Sequence, residues 1–584
     1  MKDHPANCGC GCHHKQPNIL FLMVDQERFP PIYETPELQQ WRRNNLHAQQ
    51  LLMKNGMTFL NHYVGSTACS PSRTTLYTGH YPSLHGVTQT PGAAKGSYDA
   101  DQFWLDPNTV PTAGDYFRAA GYNTFWKGKW HASEEDIVIP GTKNALPSYN
   151  TITGLPNKTN ERIYREADRL GAFGFSDWIG PDPHGANPRN SGSSAGFGTS
   201  GRDEVYAAET VELIKALDHA ARCKDNTNPW FIQCSFVNPH DIALYGIFSA
   251  LLPSFNFEVD STLPPIPPAP TTHESLSTKP SVQDSYRVTY PKGLQPIINN
   301  NFYRQLYYSL EKKVDDEMMK VLNALQHSSF LENTIIVFTS DHGEQLGAQG
   351  GLYQKWYTMY EESIHVPFVI HSPHLFPHSK RTSTLTSHVD ILPTLLGLAG
   401  IDATEIQRKL SIDHTDAQPF VGRDLTPLTE GQQTFFRVDE PIYFMTDDNV
   451  FKGLHQTNPV TGKPYQSVVQ PSSIEAIITS LKTGRNGTPE IWKFARYFDN
   501  PQFWTDPGVS DTTFVDSDGC VVEVVKTEPV PDQFEMYNLA HDPLETRNLA
   551  DPGCCSPETE AIQRTLLNML EGQRYQKRLT PKKS

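Results

Sequence analysis

Six short stretches of this 584-residue chain carry side chains able to do chemistry, and four of them follow directly on apolar runs. Asp25-Gln26 comes after NILFLMV, Lys127-Gly128-Lys129-Trp130-His131 after a run from Gly121 to Trp126, Asn238-Pro239-His240 after PWFIQCSFV, and Asp341-His342-Gly343 just past TIIVFT. The other two are Cys69-Ser70-Pro71-Ser72-Arg73 and Lys355. Carboxylate and amide oxygens, as at Asp25, Gln26 and Asp341, suit calcium, magnesium or manganese, and an imidazole such as His342 adds a nitrogen donor. Imidazoles at His131 and His240 can move protons near neutral pH. A lone cysteine is more often a small buried hydrophobe than a reactive group, so Cys69 gains meaning only from its neighbours.

The elements behind these residues set a fold class. Near-continuous β-branched and aromatic runs read as strands buried on both faces. Residues 202–222 and 302–326 carry apolar repeats at three and four, as amphipathic helices do. Strands alternating with helices predict an α/β domain with a mostly parallel central sheet flanked by helices. In such folds ligands bind outside the carboxyl ends of the strands, where the four polar clusters fall. Residues 252–296 are rich in proline and lack clear periodicity, and read as a long ordered excursion or lid. Beyond about residue 430 the pattern changes. PIYFMT (441–446) and CVVEVVK (520–526) read as strands of an antiparallel sheet, and 556–575 as a closing helix. The expected division is a disordered Cys/His-rich tail over 1–16, a catalytic domain over 17–434, and a smaller α+β domain over 435–584. Cys8, Cys10, Cys12, His13 and His14 could bind a soft metal, although alternating C-x-C is not the usual structural zinc spacing.

Cys69-Ser70-Pro71-Ser72-Arg73, followed by Thr78-Gly79-His80-Tyr81-Pro82 and His85-Gly86, resembles the signature of the sulfatase family of the alkaline phosphatase superfamily. Gly121-Tyr122-x-Thr124 with Gly128-Lys129-Trp130-His131 resembles its second signature, with Lys127 a departure. The resemblance implies an alkaline phosphatase-like fold and hydrolysis of sulfate monoesters. It implies that a formylglycine-generating enzyme oxidises Cys69 and that Arg73 holds the product in place. It implies one divalent cation, usually calcium, on Asp25, Gln26, Asp341, His342 and residue 69. Lys129 and Lys355 would contact the sulfate, His131 would act as base on the sulfated hydrate, and His240 would assist the leaving alcohol. With Arg73, the two lysines would neutralise the sulfuryl oxygens, the kind of charge stabilisation that dominates many catalysed reactions. Gln26 stands where many arylsulfatases carry a second aspartate, and His342 where they carry asparagine. Both pairs look more like choline sulfatases and phosphonate monoester hydrolases, and they leave manganese or magnesium open. Gln349 stands where many relatives have histidine. Weaker likenesses run discontinuously from residue 17 to 551 and include a Gly180–Gly185 loop without an assigned role.

Composition bounds the partners. A formal net charge of -16 disfavours nucleic acid and sulfated polymers and favours a small monoanionic ester. No apolar stretch reaches the length of a membrane span. The polar start lacks the apolar run of a signal peptide, and nine cysteines do not form a disulfide framework, so a cytoplasmic protein is expected. Homo-oligomerisation is left open. The competing readings are a phosphonate monoester or phosphodiester hydrolase on the same machinery, a choline sulfatase, and a non-catalytic oxyanion- or metal-binding protein with an unmodified Cys69.

Overall fold

The computed structural model describes residues 16–184, 187–193, 201–223, 228–250, 252, 255–431, 440–504, 512–515, 518–524 and 527–582. The N-terminal Cys/His cluster lies outside the described residues.

β1 (Asn18–Asp25) is buried along its whole length, and its alternate residues feed two different cores. Ile19, Phe21 and Met23 pack into a cluster with Trp126, Trp130 and Phe231. Leu20, Leu22 and Val24 pack on the opposite face, where helices Arg202–Cys223 and Asn301–Gln326 contribute Tyr206, Ile214, Val314, Met318 and Leu322. A period-two strand sandwiched this way must be apolar at every position, which is why the run NILFLMV has no polar face.

β2 (Gly56–Tyr63), β3 (Asn123–Gly128), β4 (Trp230–Pro239), β5 (Thr334–Ser340), β6 (Phe368–His371) and β7 (Lys380–Ser387) complete a seven-stranded sheet in the order β3-β4-β1-β5-β6-β2-β7. β3, β4, β1 and β5 run parallel, so Gly128, Pro239, Asp25 and Ser340 all end on one edge. β6 runs antiparallel to both its neighbours. The large mixed sheet with its flanking helices is the α/β architecture the sequence predicts.

A second sheet of four antiparallel strands follows, in the order β13-β10-β9-β8, from β8 (Ile442–Thr446), β9 (Ser473–Leu481), β10 (Glu490–Phe498) and β13 (Gln533–Asn538). Helix Pro557–Lys577 packs its Leu566 and Leu570 against it. The 520–526 segment forms β12 (Val521–Val524), which pairs only with β11 (Thr512–Val515), in a ribbon separate from that sheet. One apolar cluster joins Tyr63, Val64 and Ala68 of the first sheet's side to Ile442, Phe444 and Ala476 of the second.

The 252–296 segment departs from the expectation of an aperiodic excursion: Ser281–Gly293 is a helix. It buries Val282, Tyr286, Thr289, Tyr290 and Gly293, which is helical spacing. Thr289 and Gly293 on that face, and Pro291 in the last turn, hide the periodicity from a reading of apolar residues alone.

Candidate active site

Cys69 is the first residue of helix Cys69–Thr78, every residue of which is buried. The helix starts beside the ends of β1 and β5, with Cys69 Sγ near Asp25 and His342, and a helix N-terminus favours anionic oxygens. One turn on, Arg73 donates from Nε to Asp341 Oδ2 at 2.8 Å and from NH2 to Asp25 Oδ2 at 3.0 Å. Its NH1 bonds Ser235 Oγ at 2.8 Å and the Lys129 carbonyl at 3.2 Å. Every nitrogen of this guanidinium is engaged within the protein. Arg73 therefore ties the two carboxylates to the helix that begins at Cys69.

Asp25, Cys69, Asp341 and His342 are all buried, with ligand atoms within 4.8 Å of one another. Cys69 Sγ lies 3.1 Å from His342 Nε2 and 3.9 Å from Asp25 Oδ1. His342 Nδ1 sits 3.0 Å from the Gly343 carbonyl, which can only accept. The proton is therefore on Nδ1, and Nε2 presents a lone pair to the cluster. Burial, with Lys355 nearby, pushes His342 down to about 4, so its ring is neutral near pH 7. Burial opposes ionisation of Asp25, yet Lys129, His240 and Arg73 together hold its carboxyl well below the usual range. Burial and Asp25 push the Cys69 thiol up to about 11. Two carboxylates, an imidazole and residue 69 fit a divalent cation. Gln26 adjoins them with a left-handed φ of 75°, and its N–H reaches Asp341 Oδ1 at 3.0 Å. Its side-chain oxygen is taken by Lys355 Nζ at 2.8 Å.

Lys129 Nζ lies 2.6 Å from Asp25 Oδ2. Burial alone would lower its pKa, but Asp25 holds the ammonium above its ordinary value. His131 also has a left-handed backbone, with φ 57°, and neither ring nitrogen has a partner. Non-glycine residues held in this region are favoured where the surroundings fix a functional geometry. Burial first and Lys129 second push His131 well below the usual imidazole range. His240 follows β4 directly, with Nδ1 unpartnered, and burial lowers it likewise. Both are neutral imidazoles at pH 7. Lys355 Nζ sits 4.8 Å from the centre of the Trp356 ring. The structure thus gathers all the expected site residues around the carboxyl edge of the sheet.

The sequence profile named Sulfatase matches residues 17–401. The chain belongs to the sulfatase family. It is a sulfuric ester hydrolase of alkaline phosphatase-like fold. It is 27% identical over 398 residues to an uncharacterised sulfatase of Escherichia coli, covering 67% of this chain and 69% of that one. It is 27% identical over 416 residues to a choline-sulfatase of Rhizobium meliloti, with coverage of 67% and 69%. Among solved structures, phosphonate monoester hydrolase of Agrobacterium radiobacter shares the fold at a TM-score of 0.57 and 18% identity, covering 96% of both chains. Family membership brings the general requirement for formylglycine and a divalent metal, and the buried Asp25–Cys69–Asp341–His342 group suits the metal.

Three carboxylates of this sulfatase escape a reading of signatures. Asp182 accepts the backbone N–H groups of Trp130 at 3.1 Å and His131 at 2.5 Å, so the Gly180–Gly185 loop, as far as His184 described here, anchors the His131 corner. Glu344 accepts from Gln26 Nε2 and from the backbone of Gln354, fixing the amide beside Asp25. Asp448, just past β8, accepts from the Ala68 N–H at 3.3 Å and from Trp356 Nε1 at 3.1 Å. Each acts through backbone groups or a neighbour; Glu344 adjoins Asp341-His342-Gly343 and Asp182 lies in the Gly180–Gly185 segment, so only Asp448 carried no local signal.

Proposed function

We propose that this sulfatase hydrolyses small sulfate monoesters, aryl or short alkyl, with formylglycine at position 69 as nucleophile after oxidation of Cys69 by a formylglycine-generating enzyme. The observation that carries this reading is the placement of Cys69, at the first turn of a buried helix against Asp25 and His342, with Arg73 one turn below. A divalent cation held by Asp25, Asp341, His342 and residue 69, with Gln26 adjoining, supplies positive charge at the sulfuryl group; calcium, manganese and magnesium all suit these donors.

The chain's own residues account for the rest. The hydrate of formylglycine carries two hydroxyls on one carbon. One gives up its proton and attacks sulfur, and as the new O–S bond forms the S–O bond to the alcohol breaks. Lys129 and Lys355 neutralise the sulfuryl oxygens. His240, a neutral imidazole, hydrogen-bonds the bridging oxygen, and the departing alkoxide takes up the proton released by the attacking hydroxyl. His131, kept neutral by its surroundings, takes the proton of the second hydroxyl. The carbonyl then re-forms, the C–O bond to sulfate breaks, and the aldehyde is restored. Splitting one displacement into two steps is the benefit of a covalent intermediate.

The test is mass spectrometry of the peptide carrying residue 69, together with rates on an aryl sulfate, choline O-sulfate, a phosphate diester and a phosphonate monoester. The expected result is an aldehyde in place of the thiol and fastest turnover of a sulfate. An unmodified cysteine in active protein removes the nucleophile, and a phosphoester or phosphonate turned over far faster makes sulfate a side activity. The Asp25-Gln26 and Asp341-His342 pairs make that second comparison necessary.

A further inference from the structure

Next to His131 lies a second group of potential ligands. Glu134, Asp136 and His184 each offer an atom within 4.8 Å of the other two. Asp136 Oδ1 accepts the Asp182 N–H at 2.7 Å, and its Oδ2 stands 3.7 Å from His184 Nε2. Glu134 Oε1 takes the Tyr98 hydroxyl at 3.3 Å, while Oε2 is buried without a partner. Both ring nitrogens of His184 are buried and unpartnered as well. A separate observation comes from the neighbouring corner. His131 is only 3% exposed, neither of its nitrogens is bonded, and its ring centre lies 5.2 Å from that of His184. Unsatisfied buried donors and acceptors are costly, and a bound ligand here would satisfy several at once.

Charge indicates the kind of ligand. Among the described residues no lysine or arginine pairs with Glu134 or Asp136; the nearby Arg169 is committed to Glu135 at 3.1 Å. Asp182 adds a third carboxylate, already occupied by two backbone N–H groups. The described chain offers these carboxylates no fixed cation beyond the His184 ring, 3.7 Å from Asp136. Two carboxylates and one imidazole match the mixed oxygen and nitrogen set of first-row divalent ions, and three protein ligands leave further positions to water or to hydroxyls of a substrate.

We propose that Glu134, Asp136 and His184 form a second divalent-cation site, distinct from the cluster at Cys69, that takes a transition ion such as Zn2+ or Mn2+ and ties the 180–184 loop to the His131 corner. The site is read by counting ions, without turnover, so it stands or falls independently of the proposed reaction.

The experiment strips the full-length protein with chelator, dialyses it to equilibrium against Mn2+ alone, which the N-terminal thiols do not favour, and measures ions per chain by elemental analysis. The wild type is expected to hold two, and His184→Ala and Glu134→Gln to hold one each. Asp341→Asn, which disturbs only the cluster at Cys69, should also lose one, and Asp341→Asn combined with Glu134→Gln should lose both. Glu134→Gln is isosteric and its position is partly exposed, so it reports even if His184→Ala folds poorly. A wild type holding one ion, or a Glu134→Gln protein holding as many as the wild type, overturns the proposal. An unchanged ion count with the KM for choline O-sulfate raised about tenfold in Glu134→Gln also overturns it, by assigning the carboxylates to an ammonium group of a substrate.

Discussion

Two carboxylate–imidazole clusters adjoin the Lys129–His131 corner, and they handle their charge in different ways. At Asp25 and Asp341 the countercharge is part of the chain: Arg73 reaches both carboxylates and Lys129 reaches Asp25 at 2.6 Å. At Glu134 and Asp136 the described chain supplies only His184, at 3.7 Å. Their carboxyl groups shift in opposite directions in consequence, Asp25 well down and Glu134 up to about 7. A buried carboxylate must be paired or protonated. The first cluster therefore carries fixed countercharges of its own, whereas the second relies on the His184 ring, which Asp136 holds up to about 9 and whose countercharge a bound cation would replace.

The largest effects belong to the preformed cluster. Cys69→Ala is expected to lower kcat/KM for an aryl sulfate by about 10⁴-fold or more, because the nucleophile is removed outright. Cys69→Ser should release alcohol in a single burst and then stall, since a serine sulfate has no second hydroxyl to expel sulfate; a burst followed by full steady-state turnover would rule out the hydrate mechanism. Arg73→Met leaves two buried carboxylates without their guanidinium and should cost about 3–5 kcal/mol of folding stability in metal-free protein, measured by denaturant unfolding. No substitution of Glu134 or Asp136 should approach either figure.

Next comes the corner between the clusters. Asp182→Ala frees the backbone of Trp130 and His131 and leaves a left-handed His131 less constrained. A drop in kcat of about 10–100-fold with little change in KM is expected, because an misplaced base slows sulfate release more than substrate binding. A loss confined to KM would place Asp182 in substrate binding instead. This residue also shows what the sequence could and could not reveal. The strand runs before Asp25, His131, His240 and Asp341 are legible because a strand buried on both faces must be apolar throughout, and its polar end is then conspicuous. Arg73 is legible as part of the Cys69 motif, though its role as a clamp between two strands required the structure. Asp182 acts on backbone N–H groups some fifty residues away in the chain, and no local spacing encodes such a partner. Helix Ser281–Gly293 escaped for a different reason, since polar and small residues on its buried face mask the period.

The opposed pKa shifts predict opposed pH responses. Glu134 titrates higher in the folded chain, near 7, than its unfolded value of 4.5. The stability tied to its protonated form is complete below about pH 4.5 and is lost as pH rises toward 7. Glu134→Gln, which mimics that form, should stabilise metal-free protein by about 1–2 kcal/mol at pH 7.5 and by almost nothing at pH 4.5. Asp25 has the reverse sign. Its folded value lies below the unfolded one, so its contribution is present above about pH 4 and falls away in acid. Urea unfolding of wild type and Glu134→Gln across this range measures both limbs. A Glu134→Gln gain independent of pH would mean that the second cluster carries no uncompensated charge.

The smallest expected effect tests how far the second sheet takes part in catalysis. Asp448 stands beyond β8, yet its carboxylate takes the Ala68 N–H, immediately before Cys69, and the Trp356 indole beside Lys355. Burial raises its pKa, with Lys95 opposing, so its charge is maintained at some cost. Asp448→Asn keeps an acceptor oxygen but cannot serve Ala68, Trp356 and Thr90 together. Losing one shared hydrogen bond of about 1 kcal/mol corresponds to a roughly fivefold fall in kcat/KM. The accompanying sign would be altered fluorescence of Trp356, isolated by comparison with Trp356→Phe. If the activity falls while the fluorescence stays fixed, the Ala68 bond is the one that matters, and the second sheet acts on the nucleophile. If the fluorescence shifts with the activity, the sheet acts through Lys355 on the sulfate side.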